Sequence, residues 1–125
     1  SPLGAYLNEL TDVVSDAALY LPFAFIPPFS LLSVGTVIFF AALSEFAGAL
    51  GPMVGAPRQY AGPLGKSDRA FVFGALGLYI GSEFVLPPIF AWMMPLLVLL
   101  LLITTVNRIR VGVRNIAAAR QSLPK

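Results

Sequence analysis

Three polar side chains near the start of the chain are spaced four residues apart: Asn8, Asp12 and Asp16. At 3.6 residues per turn, each step of four rotates the side chain by only about 40°, so the three lie in one stripe of a helix. Glu9 lies three residues before Asp12 and borders that stripe. Because Mg²⁺ prefers oxygen ligands, a stripe of carboxylate and amide oxygens indicates a site for a hard divalent cation.

Two simpler interpretations stay open for these residues. Asn8 and Glu9 could be the solvated start of the helix, where the positive end of the helix dipole favours ionised acids. That interpretation fails for Asp16, which lies more than two turns into the helix. The other alternative is a single structural pair, for instance Asp12 with Arg69.

The segment 55–69 is the second candidate site. It is rich in glycine and contains three basic residues, Arg58, Lys66 and Arg69. The run GKSDR at 65–69 opens a predicted helix, so its backbone amides point toward any anion bound there. Arg offers phosphate a bidentate fork and Lys a compact charge, and we therefore expect an anion site, most of all for a phosphate. The alternative is an ordinary basic loop that touches lipid headgroups.

Composition decides what kind of protein must position these residues. The chain has 125 residues, of which 58% are hydrophobic and 11% charged, whereas soluble domains have about 25% charged residues. A soluble domain of this size could not bury so much apolar surface. The sequence contains neither Cys nor His, which excludes disulfide-stapled domains and Cys/His zinc chemistry. The net charge of +2 is too small to indicate nucleic-acid binding, and an integral membrane protein remains.

Hydropathy and prolines divide this membrane protein into four apolar spans. A membrane-spanning helix needs about 20 apolar residues, and paired prolines mark turns because proline cannot donate to a helix. Such pairs occur at Pro27-Pro28 and Pro87-Pro88. The predicted spans cover about 7–26, 30–54, 70–86 and 88–106, and a helical tail follows over 107–125. The fold class is therefore all-α: a polytopic membrane helix bundle with four transmembrane helices in one membrane domain, 1–125.

The basic residues predict the orientation of the bundle. All 8 Lys and Arg residues lie in 58–69 or in 108–125, and the two proline turns contain none. Since positive loops stay in the cytoplasm, the middle loop, the tail and the N-terminus are expected on that side of a membrane, most simply a bacterial inner membrane. The arginines of the tail would then lie at the anionic leaflet, in contact with membrane lipids.

Glu45 is an acid inside the second predicted span. A lone intramembrane acid is a functional candidate by default, although pairing with Arg58 explains it equally well. With Glu45 or Asp16 as the coupling carboxylate, the chain could be a small four-helix transporter that works as a homodimer. This transporter is the alternative to the enzyme that follows.

Residues 4–12 read G-x-x-x-N-x-x-x-D, with Gly4, Asn8 and Asp12 at the named positions. The pattern resembles the second half of the signature of CDP-alcohol phosphatidyltransferases, D-x-x-D-G-x-x-A-R followed by G-x-x-x-D-x-x-x-D. In that family the second half also opens a transmembrane helix on the cytoplasmic side. The GKSDR run at 65–69 is similar to the family's G-K-x-x-basic segment between its fourth and fifth helices.

The resemblance implies an enzyme of phospholipid biosynthesis. Its reaction transfers a phosphatidyl group from a CDP-linked lipid to an alcohol acceptor and releases CMP, with bound Mg²⁺ or Mn²⁺. Asp12 would be the general base and a metal ligand, Asn8 would occupy a metal-site position, and Gly4 would allow close approach of the substrate. The implied site for an acceptor phosphate consists of Arg58, Lys66 and Arg69.

Two departures from the family pattern shape the expectation. Asn8 replaces the usual Asp and brings no charge, which Glu9 could compensate although it is turned about 100° away. The first half of the signature is missing, since the chain contains no Asp-Gly dipeptide. The chain is therefore expected to be the C-terminal four helices of a six-helix bundle, inactive on its own.

Overall fold

The computed structural model describes residues 1–60, 62–83 and 85–122, and four α-helices account for most of them. They are α1 (Pro2–Tyr20), α2 (Leu31–Ala49), α3 (Lys66–Gly81) and α4 (Met93–Gln121). Short 3₁₀ segments occupy Leu21–Phe25, Gly51–Val54 and Pro88–Trp92. The described residues contain no β-strand, which confirms the all-α prediction.

Local sequence explains where the first two helices begin. The Ser1 hydroxyl accepts a hydrogen bond from the Gly4 amide at 3.1 Å, and Pro2 occupies the first turn, where its missing amide hydrogen costs nothing. Ser30 and Ser33 form a reciprocal capping box at the start of α2. The Pro27-Pro28 pair lies in the turn before that cap, as predicted.

Within the described residues, two stretches are long and apolar enough to cross a membrane: Leu31–Val54, with a mean hydropathy of 1.8, and Pro88–Gln121, with 2.5. Helix α1 carries three acids within its 19 residues, and α3 is only 16 residues long. The predicted membrane spans are thus supported for the second and fourth helices, while those for the first and third stay predictions. The predicted tail over 107–125 is helical as far as Gln121, where α4 ends; residues 123–125 lie outside the described residues.

The core is apolar at one end of the bundle. Helix α2 packs most extensively against α4. The ring of Tyr20 on α1 stacks on Phe73 of α3 with 4.0 Å between centroids, and Phe23 meets the same ring edge-on at 5.2 Å. The apolar residues buried between α2 and α4 are Val34, Val37, Ala41, Met94, Leu97 and Leu101.

The same buried stripes become polar farther along α2 and α4. On α2 the stripe continues as Ser44, Glu45 and Gly48; on α4 it continues as Thr104, Thr105, Arg108 and Gly112. Both stripes keep the three-and-four spacing of a helix face that packs on a neighbour. The bundle therefore has an apolar half and a polar half, and the polar half meets α1 and the start of α3.

Candidate functional site

Eight charged side chains meet in the polar half and make seven ion pairs within 4.0 Å in the described part of the chain. We call these eight side chains the ionic network. Its acids are Glu9, Asp12, Asp16 and Glu45, and its bases are Arg58, Lys66, Arg69 and Arg108. Since isolated charges are costly to bury, this pairing is what allows so many of them inside an apolar bundle.

Arg69 is the buried centre of the ionic network, with 0% of its surface exposed. Its Nη2 lies 2.7 Å from Asp16 Oδ2 and 3.2 Å from Glu45 Oε1, and its Nη1 donates to the Leu64 carbonyl at 3.2 Å. The Tyr20 hydroxyl donates to the other Asp16 oxygen at 3.2 Å. One guanidinium group thereby joins α1, α2 and α3.

Arg58 joins the loop before α3 to α1 and α2. Its Nε and Nη2 each lie 2.7 Å from an oxygen of Glu9, a bidentate pair, and Nη2 also lies 3.0 Å from Glu45 Oε2. The guanidinium carbon lies 4.3 Å above the centre of the Tyr60 ring. The hydrogen bond to Glu9 raises the pKa of Arg58 above its ordinary value, so this side chain stays charged.

Lys66, the first residue of α3, reaches the acidic stripe of α1. Its ammonium nitrogen lies 3.3 Å from Asp12 Oδ1, 3.2 Å from Asp16 Oδ1 and 3.3 Å from Ser15 Oγ. The residue is 41% exposed at its side chain, the most accessible base among these ion pairs. Asp12 therefore lies next to a cation that solvent and small ligands can reach.

Arg108 is a member of the ionic network that the sequence analysis did not select. It is 2% exposed, its Nη1 donates to the Ser44 carbonyl at 2.6 Å and lies 3.5 Å from Glu45 Oε1, and its Nη2 donates to the Tyr60 carbonyl at 3.3 Å. A signal was present in the sequence. Arg108 continues the buried stripe of α4, four residues after Thr104 and four before Gly112, whereas Arg110 lies outside that stripe and is exposed.

A cavity of about 270 Å³ opens above the ionic network. The charged residues on its wall are three acids and three bases, so their formal charges cancel. An anion that enters must therefore displace a carboxylate from its basic partner or arrive together with a cation. The charged wall residues are Asp12, Glu45, Asp68, Arg58, Lys66 and Arg108.

The structure separates the three bases predicted to hold a phosphate. Arg58 and Lys66 are on the cavity wall, but Arg69 is buried beneath it and paired with two acids. The single pair considered from sequence, Asp12 with Arg69, does not form: Arg69 pairs with Asp16, and Asp12 pairs with Lys66. The proposed pairing of Glu45 with Arg58 does form, at 3.0 Å.

The polar residues of the acidic stripe on α1 and the neighbouring Glu9 have different surroundings. Asn8 and Asp12 share the cavity wall, Asp16 faces the buried Arg69, and Glu9 is held by Arg58. In residues 1–60, 62–83 and 85–122, no three His, Cys, Asp or Glu side chains are grouped so that they could hold a metal ion. The described residues thus do not make a complete metal site by themselves. Gly4 lies in the capped first turn of α1, and the cavity wall does not include it.

Replacing Gly48 by Ala should lower the free energy of unfolding by about 1–3 kcal/mol, because the new methyl group would overlap the carbonyl oxygen of Gln59. That oxygen belongs to the loop that carries Arg58, so the loop has to shift. Gly35 is the matched control on the same helix, since a Cβ there would have nothing within 4 Å. Gly35→Ala should be neutral or stabilising by up to about 1 kcal/mol. Unfolding of both variants in detergent micelles checks the difference, and equal stabilities would contradict it.

Comparison with known proteins gives one informative similarity. The chain is 44% identical over 111 residues to "Inner membrane protein YnbA" of Escherichia coli (strain K12), an alignment that covers 86% of this chain and 54% of that protein. The chain thus spans about half the length of this relative. No protein-family model and no solved structure matches. The similarity and the two long apolar helices together support a membrane protein of the bacterial inner membrane.

Proposed function

We propose that the chain is part of a membrane enzyme that transfers a phosphatidyl group from a CDP-linked lipid to an alcohol acceptor, with release of CMP. One observation carries the proposal: a single polar cavity brings Asp12 together with Lys66, Arg58 and Arg108 inside an otherwise apolar bundle. Phosphoryl chemistry requires a proton acceptor next to groups that bind phosphate oxygens. The cavity wall contains both.

In this reaction Asp12 would accept the proton of the acceptor hydroxyl. The ammonium group of Lys66 lies 3.3 Å from Asp12 Oδ1, so the proposed base and a group that can bind a phosphate oxygen are adjacent. The guanidinium groups of Arg58 and Arg108, which lie on the same cavity wall, would bind phosphate oxygens. Gly65 caps α3 without a side-chain hydrogen bond, so the first amides of that helix can also face an anion.

A bound Mg²⁺ or Mn²⁺ would neutralise the phosphate charge that the wall, with equal numbers of acids and bases, does not neutralise. Asn8 and Asp12 are the wall residues that the family pattern assigns to such an ion, and the side chains of Glu45, Ser67 and Asp68 also bring oxygen atoms to the wall. Because no three acids of the described residues are grouped as metal ligands, the ion would need ligands in addition to these side chains. We further propose that the cavity faces the cytoplasm, because the exposed arginines of α4 continue on the same side.

The direct test is an assay of CMP release from CDP-diacylglycerol by the intact protein that contains this chain, reconstituted in detergent or vesicles. We expect release that depends on Mg²⁺ or Mn²⁺ and that a phosphorylated acceptor, such as glycerol phosphate, stimulates more than serine. A water control measures hydrolysis without acceptor. If no acceptor and neither metal supports CMP release by a folded preparation, phosphatidyl transfer is not the function.

The transporter alternative receives less support from the structure. A coupling carboxylate has to exchange its counter-ion during transport, but three guanidinium groups already contact Glu45, and Arg69 holds Asp16 at 2.7 Å. Both acids are built into the packing of the bundle. The enzyme proposal therefore agrees with more of the observed contacts than the transporter alternative does.

A further inference from the structure

Glu45 lies between the cavity and the buried Arg69 and is itself only 6% exposed. Its Oε2 lies 3.0 Å from Arg58 Nη2, and its Oε1 lies 3.2 Å from Arg69 Nη2 and 3.5 Å from Arg108 Nη1. These three guanidinium groups belong to the loop, to α3 and to α4. A single carboxylate on α2 therefore contacts three separate parts of the chain.

Two of the three guanidinium groups converge on one point above Gly48, almost one turn after Glu45. A Cβ atom at Gly48 would lie 3.3 Å from Arg108 Nη1 and 3.4 Å from Arg58 Nη1. Like charges that approach so closely repel each other unless an acid lies beside both. Glu45 is in contact with both, and both are on the cavity wall with it.

The two arginines also have contacts besides Glu45. Arg58 is held on its other edge by Glu9 on α1, while Arg108 donates to the carbonyl groups of Ser44 and Tyr60. Both arginines contact Tyr60, since the guanidinium carbon of Arg58 lies 4.3 Å from the centre of its ring, but none of these contacts is with an acid that the two arginines share. Among the contacts described, Glu45 is the acid that links the two.

We propose that Glu45 is a positioning residue that holds Arg58 and Arg108 side by side as one anion-binding pair. This inference rests on the proposed function, in which that pair binds the phosphate of the acceptor. Glu45 has two opposite effects on phosphate binding. Its negative charge repels an anion, whereas its contacts with Arg58 and Arg108 orient the two arginines so that they can bind one. The sign of a mutational effect on phosphate affinity therefore separates the two.

The test measures binding of inorganic phosphate to the intact protein in detergent by titration calorimetry. Glu45→Gln removes one negative charge with little change in shape, yet we expect it to weaken phosphate binding about tenfold or more, because the arginines lose their common partner. The matched control is Glu83→Gln, which makes the same change of charge beyond the far end of α3 and away from the cavity wall. It should bind phosphate like the wild type. Tighter or unchanged binding by Glu45→Gln overturns the positioning role and leaves phosphatidyl transfer standing.

Glu45→Asp keeps the proposal testable if Glu45→Gln does not fold. It retains the charge but shortens the side chain by one methylene group, so a positioning residue predicts weaker phosphate binding, whereas a residue that acts only through charge predicts wild-type binding. Wild-type affinity in this variant therefore overturns the proposal. Failure of the wild-type protein to bind phosphate overturns both the arginine pair and the phosphate-bearing acceptor, while the CMP-release assay decides independently whether the transfer reaction occurs.

Discussion

Replacing Asp12 by Asn is expected to reduce the rate of CMP release by about 10²–10⁴-fold, the usual contribution of a positioned general base. The amide keeps the size of the side chain but cannot accept the proton of the acceptor hydroxyl. Acceptor affinity should not fall, since Lys66 loses a carboxylate partner and becomes freer to contact phosphate. The turnover rate and the KM for acceptor, measured in the CMP-release assay, check both parts.

Asp68→Asn is the control for this substitution, because Asp68 is on the same cavity wall and the change of charge is identical. A role for Asp12 as base predicts a much smaller loss in the Asp68 variant. If the two variants lose the same activity, the charge of the cavity rather than a specific proton acceptor explains the effect. If Asp12→Asn turns over at the wild-type rate, Asp12 has no part in the chemistry.

Replacing Arg69 by Met should lower the free energy of unfolding by about 3–5 kcal/mol, the cost of removing one partner from a buried ion pair. Arg69 is fully buried, and its loss leaves Asp16 and Glu45 with less compensation inside the bundle. Arg110→Met is the matched control, because Arg110 is exposed on α4 and should change stability by no more than about 0.5 kcal/mol. Denaturant or thermal unfolding in detergent micelles measures both.

A double variant distinguishes two causes of the lost stability: the loss of the ion pairs of Arg69 and the loss of packing by its side-chain stem. Adding Asp16→Asn to Arg69→Met removes one of the stranded acids, so the double variant should recover part of the stability. No recovery would indicate that packing of the arginine stem, rather than its charge, stabilises the bundle. Equal stability of the Arg69 and Arg110 variants would contradict the structural role of Arg69 altogether.

Helix content was predictable because it depends on local properties of the chain. Apolar length, paired prolines and the four-residue spacing on α1 are all visible within single segments: the first and the last predict helices, and the prolines predict the turns between them. The helical bounds differ from the predicted spans at their ends. Helix α3 begins at Lys66 instead of residue 70, because the polar run KSDR forms its first turn, and α1 begins at Pro2 instead of residue 7, because Ser1 caps it. Membrane crossing by α1 and α3 stays a prediction. Helix α1 contains three acids, which lower its hydropathy, and α3 has only 16 residues, fewer than a membrane-spanning helix usually needs.

The sequence predicted which residues line the candidate site better than it predicted which of them form ion pairs. Spacing and composition selected Asp12, Arg58 and Lys66, which the structure brings to one cavity. They did not show that Arg69 lies beneath that cavity or that Arg108 reaches it from the last helix. The partner of a charged side chain depends on how helices are rotated and offset against each other, and the period of one helix does not contain that information.

The sequence by itself determined an all-helical chain with scarce charges concentrated in an acidic stripe and a basic loop. Only the tertiary structure decided how those charges are used: most neutralise one another, Glu45 contacts three arginines, and the cavity wall has no net charge. The physical reason is the cost of burying an ion. In an apolar bundle every buried charge requires a partner, and the packing of the helices selects that partner.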